Sequence, residues 1–293
     1  MKTIFLKVFL ICFLFTSHSF FAQTNAKLLF KAGGFSHPES VIYDGQNNVM
    51  YVSNMADDKD GDGFISKITS EGEIIELKWI TGLKDPKGLL IHNDKLYVTN
   101  NTEVVEIDID QGQISRKIPV EGAVSLNDIT ADENGAIYFS DMGQNTIYKI
   151  PGKMKDQPLG SSGKEVEIEE YLKTPKLNTP NGLLVHENHL YVGSWGENHD
   201  GNLLRINLET KEVGNVTNEG IGNLDGIQEA RENSFYVSDW GTGTIYKIDK
   251  EGNFSEAIQS EKSSGDILFL QEKNQLILPM NFQNEIWGYQ INL

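Results

Sequence analysis

The sequence predicts an all-β protein, a six-bladed β-propeller in which an N-terminal strand completes the last blade. One stretch recurs six times along the chain and is clearest at residues 224–248, LDGIQEARENSFYVSDWGTGTIYKI. Each copy has the pattern of three short strands joined by turns rich in Gly, Asn and Asp. The residues that head the copies are 40 to 54 residues apart, a period typical of propeller blades. These residues are Glu39, Lys87, Asn127, Asn181, Asp225 and Gly265.

Residues 1–22 are predicted to be a secretory signal peptide. Lys2 and Lys7 precede an apolar run, a polar stretch follows, and Ala22 offers a small residue for cleavage. The apolar run is too short for a convincing membrane span. We therefore expect a secreted or periplasmic protein, with the propeller over residues 23–293 and no membrane attachment after cleavage. Cleavage would also remove Cys12, the one cysteine, so stability would come from packing or a bound metal.

The second strand of each copy carries an aromatic column that is predicted to be structural. Alternation along a strand places every second side chain between neighbouring sheets, where aromatic and β-branched residues pack well. The members of the column are Tyr51, Tyr97, Tyr138, Tyr191, Tyr236 and, in the last copy, Ile277.

The fourth strands are less regular than the other three. They are predicted over residues 74–79, 114–119, 166–172, 213–217 and 254–260. The sixth copy reaches the end of the chain after only three strands. Residues 28–32, ahead of the first copy, are therefore predicted to supply its fourth strand and to leave no free sheet edge.

The charge balance excludes one class of partner. The chain has 25 basic and 42 acidic residues and a formal net charge of −17. Phosphate binding depends on clustered Lys and Arg, so the composition argues against nucleic acid. An acidic chain is compatible with cation binding, although a solvated exported surface is a simpler explanation for the bulk charge.

Propeller topology brings the head residues of the copies together. The starts of the first strands and the loops between the second and third strands open on the same side, at the mouth of the central channel. Concave mouths with a few converging polar groups are favoured ligand sites. The loops above the ring of head residues include Asn54, Asn100, Asp141, Trp195, Trp240 and Met280.

Four short motifs resemble those of the regucalcin/gluconolactonase-like six-bladed propellers. They are PES with Glu39, LND with Asn127 and Asp128, PNG with Asn181, and LDG with Asp225. The resemblance covers essentially the whole chain after residue 22. It implies that Glu39, Asn181 and Asp225 hold one divalent cation on the channel axis. It also implies that Asn127 helps to position the ligand or a metal-bound water and that Asp128 belongs to the same polar shell.

These residue types suit hydrolysis of a lactone or a related cyclic ester. Two carboxylates and an amide carbonyl are hard oxygen donors, so we expect Ca²⁺, with Mg²⁺, Mn²⁺ or Zn²⁺ as alternatives. The cation would polarise the carbonyl of a small-molecule lactone, and Asp225 would accept the proton of the attacking water. The expected catalytic residues are Asp225, Asn127 and Asp128. The expected substrate-binding residues are Lys87, Asn127, Trp195 and Trp240.

Two departures from the resemblance leave the substrate and the activity open. The sugar-lactone members carry an arginine two residues before the Asn of blade three, where this chain has Ser125, so a sugar acid lactone is not specifically predicted. Lys87 stands in the ring of head residues, where it could pair with Glu39 or Asp225, anchor an anionic substrate, or turn outward in a salt bridge. The alternatives are a non-catalytic NHL-like propeller that binds a ligand or protein, and a metal-free strictosidine synthase-like propeller.

Residues 56–63, ADDKDGDG, match the start of a helix-loop-helix calcium loop. The twelfth position of that loop is Thr69 instead of the bidentate Glu that the loop needs, and strands are predicted on both sides. We therefore favour a polar hairpin at the mouth over a calcium site.

Overall fold

The computed structural model describes residues 26–57, 61–152 and 166–292. Their strands form six antiparallel four-stranded sheets, and the one helical element among them is a short 3-10 helix, Pro175–Leu177. The first strand of each sheet contacts the first strand of the next, and the sixth returns to the first. The six sheets are therefore the blades of a closed propeller, as predicted.

In blades one to five the strands follow chain order. An N-terminal strand comes first, β1 (Ala26–Gly33). Blade one contains β2 (Pro38–Asp44), β3 (Val49–Asn54), β4 (Gly63–Ile68) and β5 (Ile74–Leu83). Blade two contains β6 (Pro86–His92), β7 (Lys95–Asn100), β8 (Glu103–Asp108) and β9 (Gln113–Pro119). Blade three contains β10 (Leu126–Ala131), β11 (Ile137–Asp141), β12 (Thr146–Ile150) and β13 (Glu169–Lys173).

The second half of the chain repeats this order. Blade four contains β14 (Pro180–His186), β15 (His189–Ser194), β16 (Leu203–Asn207) and β17 (Val213–Asn215). Blade five contains β18 (Leu224–Glu229), β19 (Ser234–Asp239), β20 (Thr244–Asp249) and β21 (Phe254–Gln259). Blade six contains β22 (Leu268–Leu270), β23 (Gln275–Met280) and β24 (Glu285–Ile291), to which β1 is added.

The N-terminal strand closes the ring. β1 pairs antiparallel with β24 from Ala26 opposite Ile291 to Gly33 opposite Glu285. The predicted closure is confirmed, and the strand is longer than the predicted residues 28–32. The other fourth strands also lie where they were predicted, except that the one in blade three begins at Glu169. Val166 and Ile168 pack against the core there without joining the sheet.

The hydrophobic core lies between neighbouring blades. Tyr97 and Val104 of blade two, for example, pack in one cluster with Phe139 and Ile150 of blade three. The whole predicted aromatic column is buried, which confirms its structural role. Three of its hydroxyl groups also donate hydrogen bonds to a carboxylate of the same blade, at 3.1 to 3.3 Å: Tyr51 to Asp44, Tyr97 to Glu106 and Tyr138 to Asp132.

The predicted signal peptide, residues 1–22, lies outside the described residues. Within the part of the chain that the structure describes, no helix has the length and apolar character needed to cross a membrane.

Candidate functional site at the channel mouth

A β-bulge opens the first strand of each blade and presents the head residue. In blade one, Pro38 pairs with Asn54 and Val41 with Val52, so that two residues of β2 lie opposite one residue of β3. The same shift occurs at the starts of β6, β10, β14 and β18. In blade six, Ser264 bridges Met280 before β22 pairs with β23. A bulge changes the direction in which side chains point. The head residues therefore do not follow the alternation by which other strand residues point into the core.

The bulges of neighbouring blades are in close backbone contact. A Cβ atom on Gly182 would lie 1.7 Å from the carbonyl oxygen of Asp225, and one on Gly226 would lie 2.4 Å from the amide nitrogen of Ile267. Only glycine permits this approach. Second-strand hydroxyls add bridges, since Ser140 Oγ accepts from the amide of Asp128 at 3.0 Å and donates to the carbonyl of Asn181 at 2.8 Å. The head residues are thus held on a rigid inner ring.

The structure brings the residues predicted to bind the metal and to do the chemistry together at this ring, and it buries them. Their exposed fractions lie between 1% and 6%, and Asp266 next to them is 9% exposed. The predicted residues are Glu39, Asn127, Asp128, Asn181 and Asp225.

Burial and mutual repulsion dominate the electrostatics of the site. Burial, followed by the charge of Asp225, raises the pKa of Glu39 well above its usual range, and nearby Lys87 opposes this rise. Burial, followed by the charge of Asp266, raises the pKa of Asp225 to about 8. The Asn181 amide is near enough to Asp225 to lower this pKa in part, although no hydrogen bond of ordinary geometry joins the two. Without a compensating positive charge, the site favours protonated carboxyl groups.

Several oxygen atoms in the site are buried without a hydrogen-bond partner. They are Glu39 Oε2, Asn181 Oδ1 and Asp225 Oδ1, and Asn181 Nδ2 is also unpaired. Buried polar atoms are almost always satisfied, so three unpaired oxygens from three blades form a group that suits an electropositive partner. Among the described residues, no three His, Cys, Asp or Glu side chains form a metal-binding group. A cation at this place would therefore use the Asn181 amide oxygen together with the two carboxylates.

Lys87 and Asn127 have partners of their own. Lys87 Nζ lies 3.4 Å from Asp85 Oδ2, so its ion pair is with Asp85, while its charge still lowers the pKa values of Glu39 and Asp225. Asn127 Nδ2 lies 3.0 Å from the sulfur of Met142. The amide of Asn127 is therefore held toward the mouth loop of its own blade.

Asp128 and Asp266 are engaged by neighbouring blades. Asp128 Oδ1 accepts from the amide of Ile129 at 2.6 Å, and its Oδ2 accepts from the amide of Leu183 in blade four. Asp266 Oδ2 accepts from Ser40 Oγ of blade one at 2.6 Å. The motif comparison assigned Asp266 no role. Its signal in the sequence was the acid directly after the head residue, which SGD of blade six shares with LND of blade three.

Aromatic rings extend along the mouth above blades four to six. The ring centroids of Trp195 and Trp240 are 5.4 Å apart, and those of Trp240 and Phe282 are 4.8 Å apart. The amides of the two Trp residues bond to the carbonyls of Thr179 and Asn223, each two residues before a head residue. Phe282 is 53% exposed. The rings pack between blades and also line the entrance.

The acidic loop of blade one is only partly described, because residues 58–60 lie outside the described ranges. The preference for a polar hairpin over a calcium site therefore stays a prediction.

Comparison with known proteins identifies the family. The model of the family described as SMP-30/Gluconolactonase/LRE-like region matches residues 37–269, a range that contains every bulge of the inner ring. No curated protein matches the chain.

Solved structures share the fold. The gluconolactonase XC5397 from Xanthomonas campestris has a TM-score of 0.70 at 15% identity, covering 91% of this chain and 89% of that one. A putative gluconolactonase has a TM-score of 0.67 at 15% identity, covering 92% and 93%. Virginiamycin B lyase from Staphylococcus aureus has a TM-score of 0.63 at 16% identity, covering 91% and 100%. At these identities the likeness establishes the architecture alone.

Proposed function

Because the chain belongs to the SMP-30/gluconolactonase/LRE-like family, we propose that it is a secreted, metal-dependent lactonase. The proposed metal site is supported by the buried oxygens without hydrogen-bond partners on Glu39, Asn181 and Asp225. These hard donors fit one divalent cation, with Ca²⁺ as the first choice and Mg²⁺, Mn²⁺ or Zn²⁺ as alternatives. With these three side chains as the protein ligands, water and substrate would complete the coordination.

A bound cation would supply Lewis-acid polarisation of the lactone carbonyl and stabilise the negative charge that develops on its oxygen. The chain's own residues would provide the rest. Asp225 would accept the proton of the attacking water, and Asn127 would orient the ligand or that water. Asp225 must be ionised to act as a base. A positive charge beside it would lower its pKa from the value of about 8 that burial produces without one.

The mouth supports a small lactone or cyclic ester as substrate. Trp195 and Trp240 would contact the substrate, since each ring is partly exposed near a metal-binding residue. The row of rings continues to exposed Phe282, which favours a substrate with an apolar or planar part. Lys87 is proposed to assist binding of an anionic group, although its ion pair with Asp85 competes with this role. Ser125 gives the entrance no guanidinium for a sugar acid.

Chelation and reconstitution test this function. Chelator-treated protein should lose thermal stability and lactone hydrolysis together, and Ca²⁺ or Mn²⁺ should restore both. The readouts are melting temperature and turnover on a panel that includes aryl- and alkyl-substituted lactones and sugar acid lactones. A stability gain without turnover on any lactone would favour a non-catalytic binding propeller. Turnover that is indifferent to chelation would favour a metal-free propeller enzyme.

A further inference from the structure

Asp266 is a buried carboxylate that the proposed lactonase chemistry does not use. It lies in blade six, directly after the head residue Gly265, and is 9% exposed. Burying a carboxylate is costly unless its hydrogen bonds repay the lost hydration. The partners of Asp266 therefore indicate what the residue does.

Both the backbone and the side chain of Asp266 contact the bulge that presents Glu39. Its amide donates to the carbonyl of Glu39 at 2.8 Å, and its Oδ2 accepts from Ser40 Oγ at 2.6 Å. On its other side, the Ser40 amide donates to Ser53 Oγ of the same blade at 2.9 Å. Hydrogen bonds from both blade one and blade six therefore hold the Glu39–Ser40 bulge in place.

A related arrangement occurs on the opposite side of the ring. Asp128 occupies the equivalent second bulge position of blade three and accepts from the amide of Leu183 in blade four, where the bulge presents Asn181. Blades three and six face each other across a six-bladed ring, and each carries an Asp that reaches forward into the next blade. At this position the other blades have Ser40, Gly88, Gly182 and Gly226. Two of the three proposed metal-binding residues therefore follow a blade that contributes an Asp.

We propose that Asp266 is a positioning residue, which fixes the Glu39 carboxylate for cation binding through its hydrogen bond from Ser40. The inference rests on the proposed function in one respect, namely that Glu39 holds a cation. The hydrogen bond from Ser40 Oγ is short, at 2.6 Å, which suits a contact that must hold a backbone bulge. Groups that orient metal-binding side chains typically contribute about 10- to 100-fold to metal affinity.

Substitution of Ser40 tests this role without changing any charge in the site. Ser40→Ala removes the hydroxyl donor and leaves Glu39 and Asp266 intact, so any change in cation affinity reports on position. We expect Ca²⁺ binding, measured by calorimetric titration of chelator-treated protein, to weaken about tenfold or more. We also expect a crystal structure of the variant to show the Glu39 bulge displaced toward the channel.

Ser115→Ala is the matched control. Ser115 Oγ donates to the buried carboxylate of Glu106 at 2.8 Å, in the outer strands of blade two. Its loss should lower the melting temperature and leave the Ca²⁺ affinity unchanged. Asp266→Asn serves as a second variant, because it keeps an acceptor oxygen for Ser40. It should therefore leave Glu39 in place in the crystal while Ser40→Ala displaces it.

The outcomes separate this inference from the proposed function. Unchanged Ca²⁺ affinity in Ser40→Ala, or an unmoved Glu39, would overturn the positioning role. If the wild-type protein itself takes up no divalent cation, the lactonase proposal fails. In that case, the position of Glu39 in the Ser40→Ala crystal still tests whether Asp266 positions Glu39, independently of the lactonase proposal.

Discussion

Glu39 and Asp225 are carboxylates that the fold buries without giving every oxygen a partner. A buried unpaired charge is energetically unfavourable. Such a carboxyl group is therefore stabilised either by taking up a proton or by binding a cation. The raised pKa values of both residues reflect the first outcome, and the proposed cation site would be the second. At the scale of single residues, a cation bound as proposed would therefore compete with protons for these oxygens.

Substitutions of two of the proposed metal-binding residues should separate the role of a general base from that of a simple ligand. Asp225→Asn keeps an oxygen donor but removes the proton acceptor, so turnover at saturating cation should fall by roughly 10²- to 10⁴-fold. Asn181→Ala should act mainly through cation affinity, and excess cation should recover part of its rate. The measurement is lactone turnover across a cation titration of both variants. Full recovery of Asp225→Asn in excess cation would leave Asp225 as a ligand only.

The buried carboxyl groups should also make the cation-free protein less stable as the pH rises. Burial raises the pKa of Asp266 to about 7 and that of Asp225 to about 8, above the usual 3.8. The folded state then binds these protons more tightly than the unfolded state, so their contribution to stability is complete below the usual pKa and is lost as the pH rises toward 8. Melting temperatures in chelator should fall over this range, and Ca²⁺ should restore them at the alkaline end.

The control for this pH dependence is Asp225→Asn, which removes one of the titrating groups. Its cation-free melting temperature should vary less with pH than that of the wild type. Equal slopes for the two proteins would show that Asp225 does not titrate in this range.

Among the structural elements, the bulges in the first strands bring the head residue of each blade to the channel mouth. The regular ladder would place alternate side chains into the interfaces between blades, whereas the bulge releases one residue per blade toward the channel. Glycine at the second bulge position lets neighbouring inner strands touch through their backbones. The inner ring is consequently tight and intolerant of added atoms.

Gly182→Ala should therefore be strongly destabilising. Its Cβ atom would overlap the carbonyl of Asp225, and the shift needed to relieve the clash should cost about 1–3 kcal/mol in the free energy of unfolding. Gly214→Ala in β17 is the matched control, because nothing lies within 4 Å of the added Cβ atom. Urea unfolding of the two variants would measure the difference. Equal stabilities would contradict the close approach of blades four and five.

For the whole molecule, ring closure depends on one strand that is distant in sequence from the blade it completes. β1 covers the edge of β24, and Lys31 lies over the ring of Trp287 at 3.3 Å from the centroid. Without β1, the backbone groups on the outer edge of β24 would be unpaired and able to pair with another chain.

Deletion of residues 23–33 should thus produce a protein that melts at a lower temperature and self-associates. Light scattering after size exclusion, together with thermal unfolding, would detect both effects. A truncated protein that stays monomeric with the wild-type melting temperature would contradict the role of β1 in closure.

The blade count, the aromatic column and the closing strand were all predictable from the chain, because they depend on local periodicity and on the number of strands per repeat. The residues of the mouth were predictable as well, since propeller topology places the heads of all six copies at one end. Irregular segments were harder to place. Val166 packs against the core without pairing, because burial alone does not require a ladder hydrogen bond.

Contacts between blades could be known only from the tertiary structure. The hydrogen bond between Asp266 of blade six and Ser40 of blade one depends on how the six sheets close around an axis, and so do the positions of the unpaired oxygens of Glu39, Asn181 and Asp225. Repeat periodicity determines which residue heads each blade, because alternation and turn chemistry are local. Closure of the ring determines which of those residues meet, because the first strands of neighbouring blades come into contact only when the six sheets are arranged around one axis.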